Sequence, residues 1–322
     1  VRKLANGLLS FGVKLGDRVA TLAWNGYRHF ELYYAISGIG AVCHTINPRL
    51  SAEQMIYIIN HAGDSIICVD LTFVPILEAI KDKVPSNMKY IIMTDRDHMP
   101  DTILENVLCY EEVLEKGDSN IEWPEFPEET ASSLCYTSGT TGNPKGSLYT
   151  HRSTVLHSLT AGISFPETMR AGVRILPVVP LFHVNAWGLA YAAPLVGASI
   201  IFPGPNLDGK SIFDLMDSEN VFSAWGVPTV WLGLLSEIEN RSRIPNGFGE
   251  AIIGGSAVPR YMVESFEKLS VSVCHAWGMT EMSPIGTNGR LSPAHSKLPM
   301  NEKIDLKVKQ GRRVYGVELK IV

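Results

Sequence analysis

Ala131-Ser-Ser-Leu-Cys-Tyr-Thr137-Ser138-Gly139-Thr140-Thr141-Gly142-Asn143-Pro144-Lys145-Gly146 is a short apolar run that stops in hydroxyls, glycines and one lysine. The run reads as a strand and the remainder as the loop that follows it. Hydroxyls and bare backbone N–H groups are the donors a phosphate needs, and glycine lets the backbone come close. Lys145 adds a compact positive charge. The spacing is not that of a P-loop, because Gly139 has Pro144 five residues on and Gly142 has Ser147. A loop rich in Ser, Thr and Gly is also what a plain flexible turn looks like. The lysine inside Pro-Lys-Gly sets this one apart.

Working outward, apolar runs rich in Val, Ile and Thr recur at 19–24, 41–46, 65–70, 89–93, 173–179, 198–202 and 249–253. Helical patterns lie between most of them, at 28–37, 51–61, 74–83, 151–162 and 258–268. Repeated βα units imply an α/β fold of mainly parallel sheets covered by helices. In such folds ligands sit beyond the carboxyl ends of the strands, so function is expected in the loops that follow them. The 33 residues 175–207 contain no charged side chain and are long enough to span a bilayer. Five prolines (Pro177, Pro180, Pro194, Pro203, Pro205) break the stretch, and it reads better as strand, short helix and strand.

Composition narrows the function. The 322 residues carry a net charge of −5, which argues against a nucleic-acid partner. Residues 95–129 hold twelve acids against two bases and read as a solvated connector, leaving the rest mildly basic and suited to an anionic ligand. The five cysteines are scattered, without a C-x-x-C, so neither a disulfide framework nor a zinc site is expected; a reducing cytoplasm fits. Neither a signal peptide nor a transmembrane segment is read in the sequence. Val1 opens inside an amphipathic pattern, and Val317–Val322 is a strand-like run that stops short. Both ends read as cut.

Thr137-Ser-Gly-Thr-Thr-Gly-x-Pro-Lys-Gly146 resembles the signature loop of the adenylate-forming superfamily, which includes acyl-CoA synthetases, luciferases and peptide-synthetase adenylation domains. Further segments agree in order. Pro180-Leu-Phe-His183 resembles that family's stretch beside the acyl pocket, and Gly254-Gly255-Ser256-Ala257 its adenine-side loop. Trp277-Gly278-Met279-Thr280-Glu281 resembles its nucleotide and magnesium motif, with Trp where many relatives have Tyr. Gly311–Ile321 resembles the strand region that follows. The resemblance implies one incomplete adenylation core over 1–322, with approximate subdomains 1–174 and 175–322. That core has two helix-flanked sheets plus part of a β subdomain, and lacks the C-terminal lid domain.

It also implies roles. Thr137, Ser138, Gly139, Thr140, Thr141, Gly142 and Lys145 would hold the phosphates of ATP. Gly255, Ser256, Ala257, Trp277, Gly278, Met279 and Thr280 would hold the AMP portion, and Glu281 would hold Mg²⁺. His183, Val184, Asn185, Trp187, Trp225, Gly226 and Val227 would form the acyl pocket, with Lys145, Thr140, His183 and Glu281 carrying the chemistry. On the residues alone, Trp277 reads equally as a packed core side chain, a lone His between apolar residues such as His183 more often as one, and a lone Glu as a solvated one. The implied reaction is ATP-dependent activation of a carboxylic acid followed by transfer to coenzyme A. A luciferase-like or peptide-synthetase enzyme and a non-catalytic nucleotide-binding fragment are the alternatives. Leu181–Gly188 lacks the carboxylate that would pair an amino-acid ammonium. Trp24-Asn-Gly-Tyr27 and His44-Thr-Ile-Asn-Pro-Arg-Leu50 look most like short- to medium-chain fatty acyl-CoA synthetases and ligases for methylthio-substituted propionate. The first segment reads equally as structural. The family's ribose-binding Asp, hinge and C-terminal Lys would lie beyond residue 322, and Lys320 precedes that region.

Overall fold

A computed structural model describes residues 1–137 and 142–320 of the chain. They form two compact units, Val1–Thr154 with Leu181–Asn185, and Val155–Pro180 with Ala186–Val322. The division falls after Thr154 rather than at 174/175. The reason is local: the antiparallel strand that returns after the hydroxyl- and glycine-rich loop completes the first sheet, and the helix His151–Ser164 that follows it crosses the division.

The first unit is built on seven strands: β1 (Arg18–Leu22), β2 (Val42–Thr45), β3 (Ile66–Val69), β4 (Lys89–Ile92), β5 (Val107–Cys109), β6 (Ala131–Thr137) and β7 (Lys145–Thr150). Their order is β5-β4-β3-β1-β2-β6-β7, parallel throughout except for the β6–β7 pair. Helices α1 (Arg2–Ser10), α2 (Tyr27–Gly38), α3 (Ala52–Ala62), α4 (Val74–Ile80) and α5 (Tyr110–Lys116) connect the strands. β2 and β3 are buried along their whole length, as strands of a parallel sheet are when both faces are covered; β3 is apolar throughout, and β2 adds His44 and Thr45 to Val42 and Cys43. α3 starts at a Ser51–Gln54 capping box, and its last carbonyls accept from the Arg18 guanidinium, Ala62 O at 2.6 Å. Ile58, Ile59, Leu77 and Ile80 from the helices pack with Ile67, Val69 and Ile92 from the strands in one core.

The acidic segment is more than a connector. It supplies edge strand β5 and helix α5, whose Tyr110 and Val113 are buried while Glu111 and Glu112 sit in the first turn, where carboxylates suit the helix dipole. Beyond α5, Trp123 packs on Gly38 and Phe126 on Gly40. Apolar residues spaced among the acids account for the difference.

The second unit carries β8 (Arg174–Pro177), β9 (Ser199–Ile200), β10 (Ser223–Gly226), β11 (Glu250–Ile253), β12 (Ser272–Gly278), β13 (Ile285–Asn288) and β14 (Arg312–Arg313). The order is β14-β13-β12-β11-β10-β8-β9; β8 to β12 are parallel, and β13 and β14 extend the sheet antiparallel. Phe213, Trp231, Phe248 and Phe266 fill its core. Helix α6 (His151–Ser164) follows β7. The expected strand at 317–322 is not formed within the described residues. Only Arg312–Arg313 pairs, and Gly311 and Gly316 adopt φ of +83° and +81°, which ends the extended run on both sides. The charge-free stretch folds as β8, helix Leu189–Leu195 and β9. Among the described residues no helix is long and apolar enough to cross a membrane.

One buried histidine makes the fold pH-sensitive. His29 accepts from the Thr21 hydroxyl at Nε2 (2.9 Å), and its Nδ1–H donates to Trp24 O (3.0 Å). Burial pushes its pKa down to about 4, below the ordinary imidazole value of 6.5. The folded pKa is the lower one, so the unfolded chain takes up the proton first and stability falls as pH drops from 7 toward 4. Between pH 7 and 5 this group removes on the order of 2 kcal/mol. Chemical denaturation at the two pH values is expected to show His29→Gln losing less stability than the parent by about that amount; equal losses would refute the assignment.

Candidate functional site

The phosphate-loop candidate is the turn of a hairpin. β6 runs to Thr137, β7 starts at Lys145, and the register pairs Thr137 with Lys145 and Tyr136 with Gly146. The Thr137 hydroxyl donates to the Lys145 carbonyl at 3.4 Å. The two polar residues therefore flank the mouth of one loop, with Lys145 exposed. Gly142 is exposed at φ +87° and Pro144 is buried. Ser138, Gly139, Thr140 and Thr141 lie outside the described residues. Beneath the mouth, the Tyr136 hydroxyl meets His61 Nδ1 at 2.7 Å. The Tyr136 ring is 5.1 Å from His44, which is paired at 2.8 Å with Asp64, both fully buried. Burial, and secondarily the charge of Asp64, pushes the Tyr136 phenol up to about 12.

His183 stands at the start of an unusual turn. Val184, Asn185, Ala186 and Trp187 have φ of +51°, +54°, +49° and +57°, and Gly188 follows at +79°. A left-handed conformation costs an L-residue roughly 1–2 kcal/mol, so four in succession need to be held in place. In the first unit the hold is polar. Leu181 N–H donates to Asn25 Oδ1 at 2.6 Å, and Leu181 O accepts from the Tyr33 hydroxyl at 2.5 Å. That hydroxyl also lies 3.1 Å from Asn185 Oδ1, and Asn185 Nδ2 donates to Ser133 Oγ at 3.0 Å. In the second unit the His157 ring lies against Gly188, where a Cβ would stand 2.1 Å from Cε1, so only glycine fits.

His183 itself is exposed, with Arg49 over the neighbouring Phe182 ring at 6.0 Å. Desolvation, and then the Arg49 charge, lowers the His183 pKa, so the imidazole is neutral at pH 7 and able to accept or donate one hydrogen bond. Of the other expected acyl-pocket residues, Val184, Asn185, Trp225 and Gly226 are buried, while Trp187 and Val227 are partly exposed. The Asn185 amide is spent on Tyr33 and Ser133. Trp187 and Trp225 lie 6.4 Å apart, and Phe165 packs on Trp225 at 4.8 Å.

The residues expected on the nucleotide side lie just after β11 and at the end of β12 and beyond it, where the parallel-sheet rule puts ligands. Gly255, Ser256 and Ala257 are exposed directly after β11. A Cβ on Gly254 would fall 2.8 Å from Ala276 O and 3.1 Å from Trp187 Cη2, so the loop is packed between β12 and an indole. Trp277 is half-buried, with its six-membered ring on Gly286 of β13; a Cβ there would be 2.6 Å from Cε3. Gly278 fits the hairpin because its own Cβ would meet Pro284 O at 2.1 Å. Thr280–Met282 then forms a 3-10 turn with Thr280 buried and Glu281 exposed. No ion pair among the described residues engages Glu281, and no cluster of three His, Cys, Asp or Glu among them forms a metal cage.

Sequence reasoning missed the supporting residues. Asn25 lies in a segment that read equally as structural, and nothing in the spacing of Tyr33 or Ser133 links either to residue 185. His275, two residues before Trp277, is buried and its Nδ1–H donates to Val308 O at 3.0 Å. A lone polar residue inside an apolar strand is the signal that could have marked it.

The chain is 49% identical to a medium-chain-fatty-acid–CoA ligase of Ectopseudomonas oleovorans and 47% identical to a 3-methylmercaptopropionyl-CoA ligase of Ruegeria lacuscaerulensis, each match covering 100% of the chain. It spans 59% and 60% of those two relatives. Among solved structures, the anthranilate CoA ligase AuaEII in complex with anthranoyl-AMP matches with a TM-score of 0.84 at 22% identity, over 100% of this chain and 59% of that one. The N-terminal domain of FACL13 from Mycobacterium tuberculosis matches with a TM-score of 0.82 at 22% identity, over 98% of this chain and 73% of that one. These likenesses agree with the α/β fold of the N-terminal domain of adenylate-forming enzymes. The family model described as AMP-binding enzyme matches residues 1–322, and the chain belongs to that family.

Proposed function

We propose that the complete protein activates a carboxylic acid with ATP and transfers the acyl group to coenzyme A. The carboxylate oxygen attacks the α-phosphorus of ATP as pyrophosphate leaves; the thiol of CoA then attacks the acyl carbon as AMP leaves. The observation that carries this reading is the hairpin mouth, where Thr137 and Lys145 flank the hydroxyl- and glycine-rich loop. Family membership over the whole chain supports it.

In this reading Thr137, Ser138, Gly139, Thr140, Thr141, Gly142 and Lys145 bind the phosphates, and Gly255, Ser256, Ala257, Gly278, Met279 and Thr280 border the AMP portion. Trp277, half-buried and packed on Gly286, would stack on adenine. Glu281 fits Mg²⁺: its carboxylate is exposed and unpaired, and this ion keeps waters and phosphate oxygens as its other ligands, so one carboxylate suffices. Bound there, the ion would neutralise phosphate charge. His183, neutral and exposed, would hydrogen-bond the reacting carboxyl group.

The acid is a short- to medium-chain one, including methylthio-substituted propionate. The stretch 181–188 has no carboxylate to pair an ammonium group, and Trp187 and Trp225 give an apolar lining. The names of the two similar ligases agree with this class. A reducing cytoplasm suits five buried free thiols.

Lys145→Ala and Glu281→Ala in the complete protein are each expected to lower ATP–pyrophosphate exchange by about a hundredfold or more, the scale of losing one charge-stabilising group. Exchange at the parent rate in either variant rejects its assignment. Trp277→Ala should weaken binding of a non-reactive acyl-AMP analogue by roughly tenfold, measured by calorimetry, because base–aromatic stacking contributes about 1–3 kcal/mol. A panel of acids in the exchange assay is expected to favour short and medium chains. Preference for an amino acid would overturn the substrate class, and exchange without acyl transfer to CoA would overturn the second step.

A further inference from the structure

Asn185 belongs by resemblance to the acyl pocket, yet its side chain is enclosed. The residue is 3% exposed, and the groups around its amide are buried as well, Tyr33 and Ser133 at 0%. Every polar atom of the amide has a partner in the first unit. Oδ1 lies 3.1 Å from the Tyr33 hydroxyl and 3.5 Å from Cys135 Sγ, and Nδ2 donates to Ser133 Oγ. The same Tyr33 hydroxyl donates to Leu181 O, and Asn25 takes the Leu181 N–H. The segment 181–185 is thus pinned at both ends, with His183 in the middle. The pins do not let go cheaply, because a buried amide that loses its partners is left unsatisfied.

Two of the anchors have a further property. Ser133 and Cys135 alternate along β6, and Thr137 is the next residue with that alternation, so all three fall on one face of the strand. The strand face that holds Asn185 is the one that ends at the phosphate-loop mouth.

We propose that Asn185 is a positioning residue: its amide holds the left-handed turn against β6 and α2, and so sets where His183 is presented relative to the strand that leads into the phosphate loop. This rests on the acyl-activating reading only for its functional meaning, not for its geometry. Asn185 does not touch substrate. It acts through the turn. Replacing it removes both ties at once and lets the strained residues 184–187 relax toward right-handed backbone, which carries His183 out of its present, partly desolvated surroundings.

The test follows the His183 ring by NMR titration in the 322-residue chain with isotope-labelled histidine, its signal assigned by His183→Gln. In the parent, His183 is expected to titrate below the ordinary imidazole value, as its surroundings dictate. In Asn185→Leu its titration is expected to move up toward the ordinary value, while His275 in the second unit keeps its own. Ser133→Ala should give a smaller shift of the same sign, and none when added to Asn185→Leu, because its partner is already gone. An unchanged His183 titration in folded Asn185→Leu overturns the proposal, as does a shift shared equally by His275, which marks general loosening. If Asn185→Leu does not fold, Tyr33→Phe and Ser133→Ala, each losing one hydroxyl, decide in the same way. Failure of the chain to bind an acyl-AMP analogue would count against the proposed reaction and leave this result standing.

Discussion

Four consecutive L-residues in left-handed backbone are the constraint on which the candidate site depends. Val184–Trp187 hold that conformation between the exposed His183 and Gly188, the one residue of the five that adopts it freely. Such a turn persists only where its surroundings over-determine it. Here they do so by different means on either side. In the first unit, Asn25 and Tyr33 hold the Leu181 backbone, and Tyr33 and Ser133 lie against the Asn185 amide, at 2.5–3.1 Å. In the second, the His157 imidazole takes the space a side chain on residue 188 would need.

Close approach is the second recurring device, and it sits where the nucleotide motifs lie. Gly254, Gly278 and Gly286 each face an atom that a Cβ would strike: Ala276 O at 2.8 Å, Pro284 O at 2.1 Å and the Trp277 ring at 2.6 Å. The β12–β13 hairpin is therefore compressed around Trp277, which holds the indole in a defined plane and places the Thr280–Met282 turn directly after it. A rigid aromatic plane and an unpaired carboxylate four residues apart make a different kind of surface from the hairpin mouth at Thr137 and Lys145, where the polar groups come from opposite strands.

Much of this was legible along the chain. The apolar runs at 41–46, 65–70 and 249–253 became β2, β3 and β11 within a residue or two at each end, because strands buried on both faces are mostly apolar, even where His44, Thr45 or Glu250 is buried among them. The helices at 28–37 and 151–162 were equally plain. The run at 317–322 misled: residues 317–320, the described part of it, form no strand, and Gly316 turns the backbone left-handed just before it. The acidic stretch misled in the opposite sense, since charge density hid Tyr110 and Val113, which anchor α5 in the first unit.

The sequence by itself determined the order of βα units, the identity of the loops after β6, β11 and β12, and the family to which they belong. Those features are local: a strand period, a run of hydroxyls and glycines, a lysine at a set distance. Tertiary structure alone decided what Asn185 does. Its neighbours Tyr33 and Ser133 are 152 and 52 residues away along the chain, and no periodicity connects them. A polar side chain in an apolar stretch reads the same whether it faces a ligand or a buried hydroxyl; only the fold brings the partner that settles which.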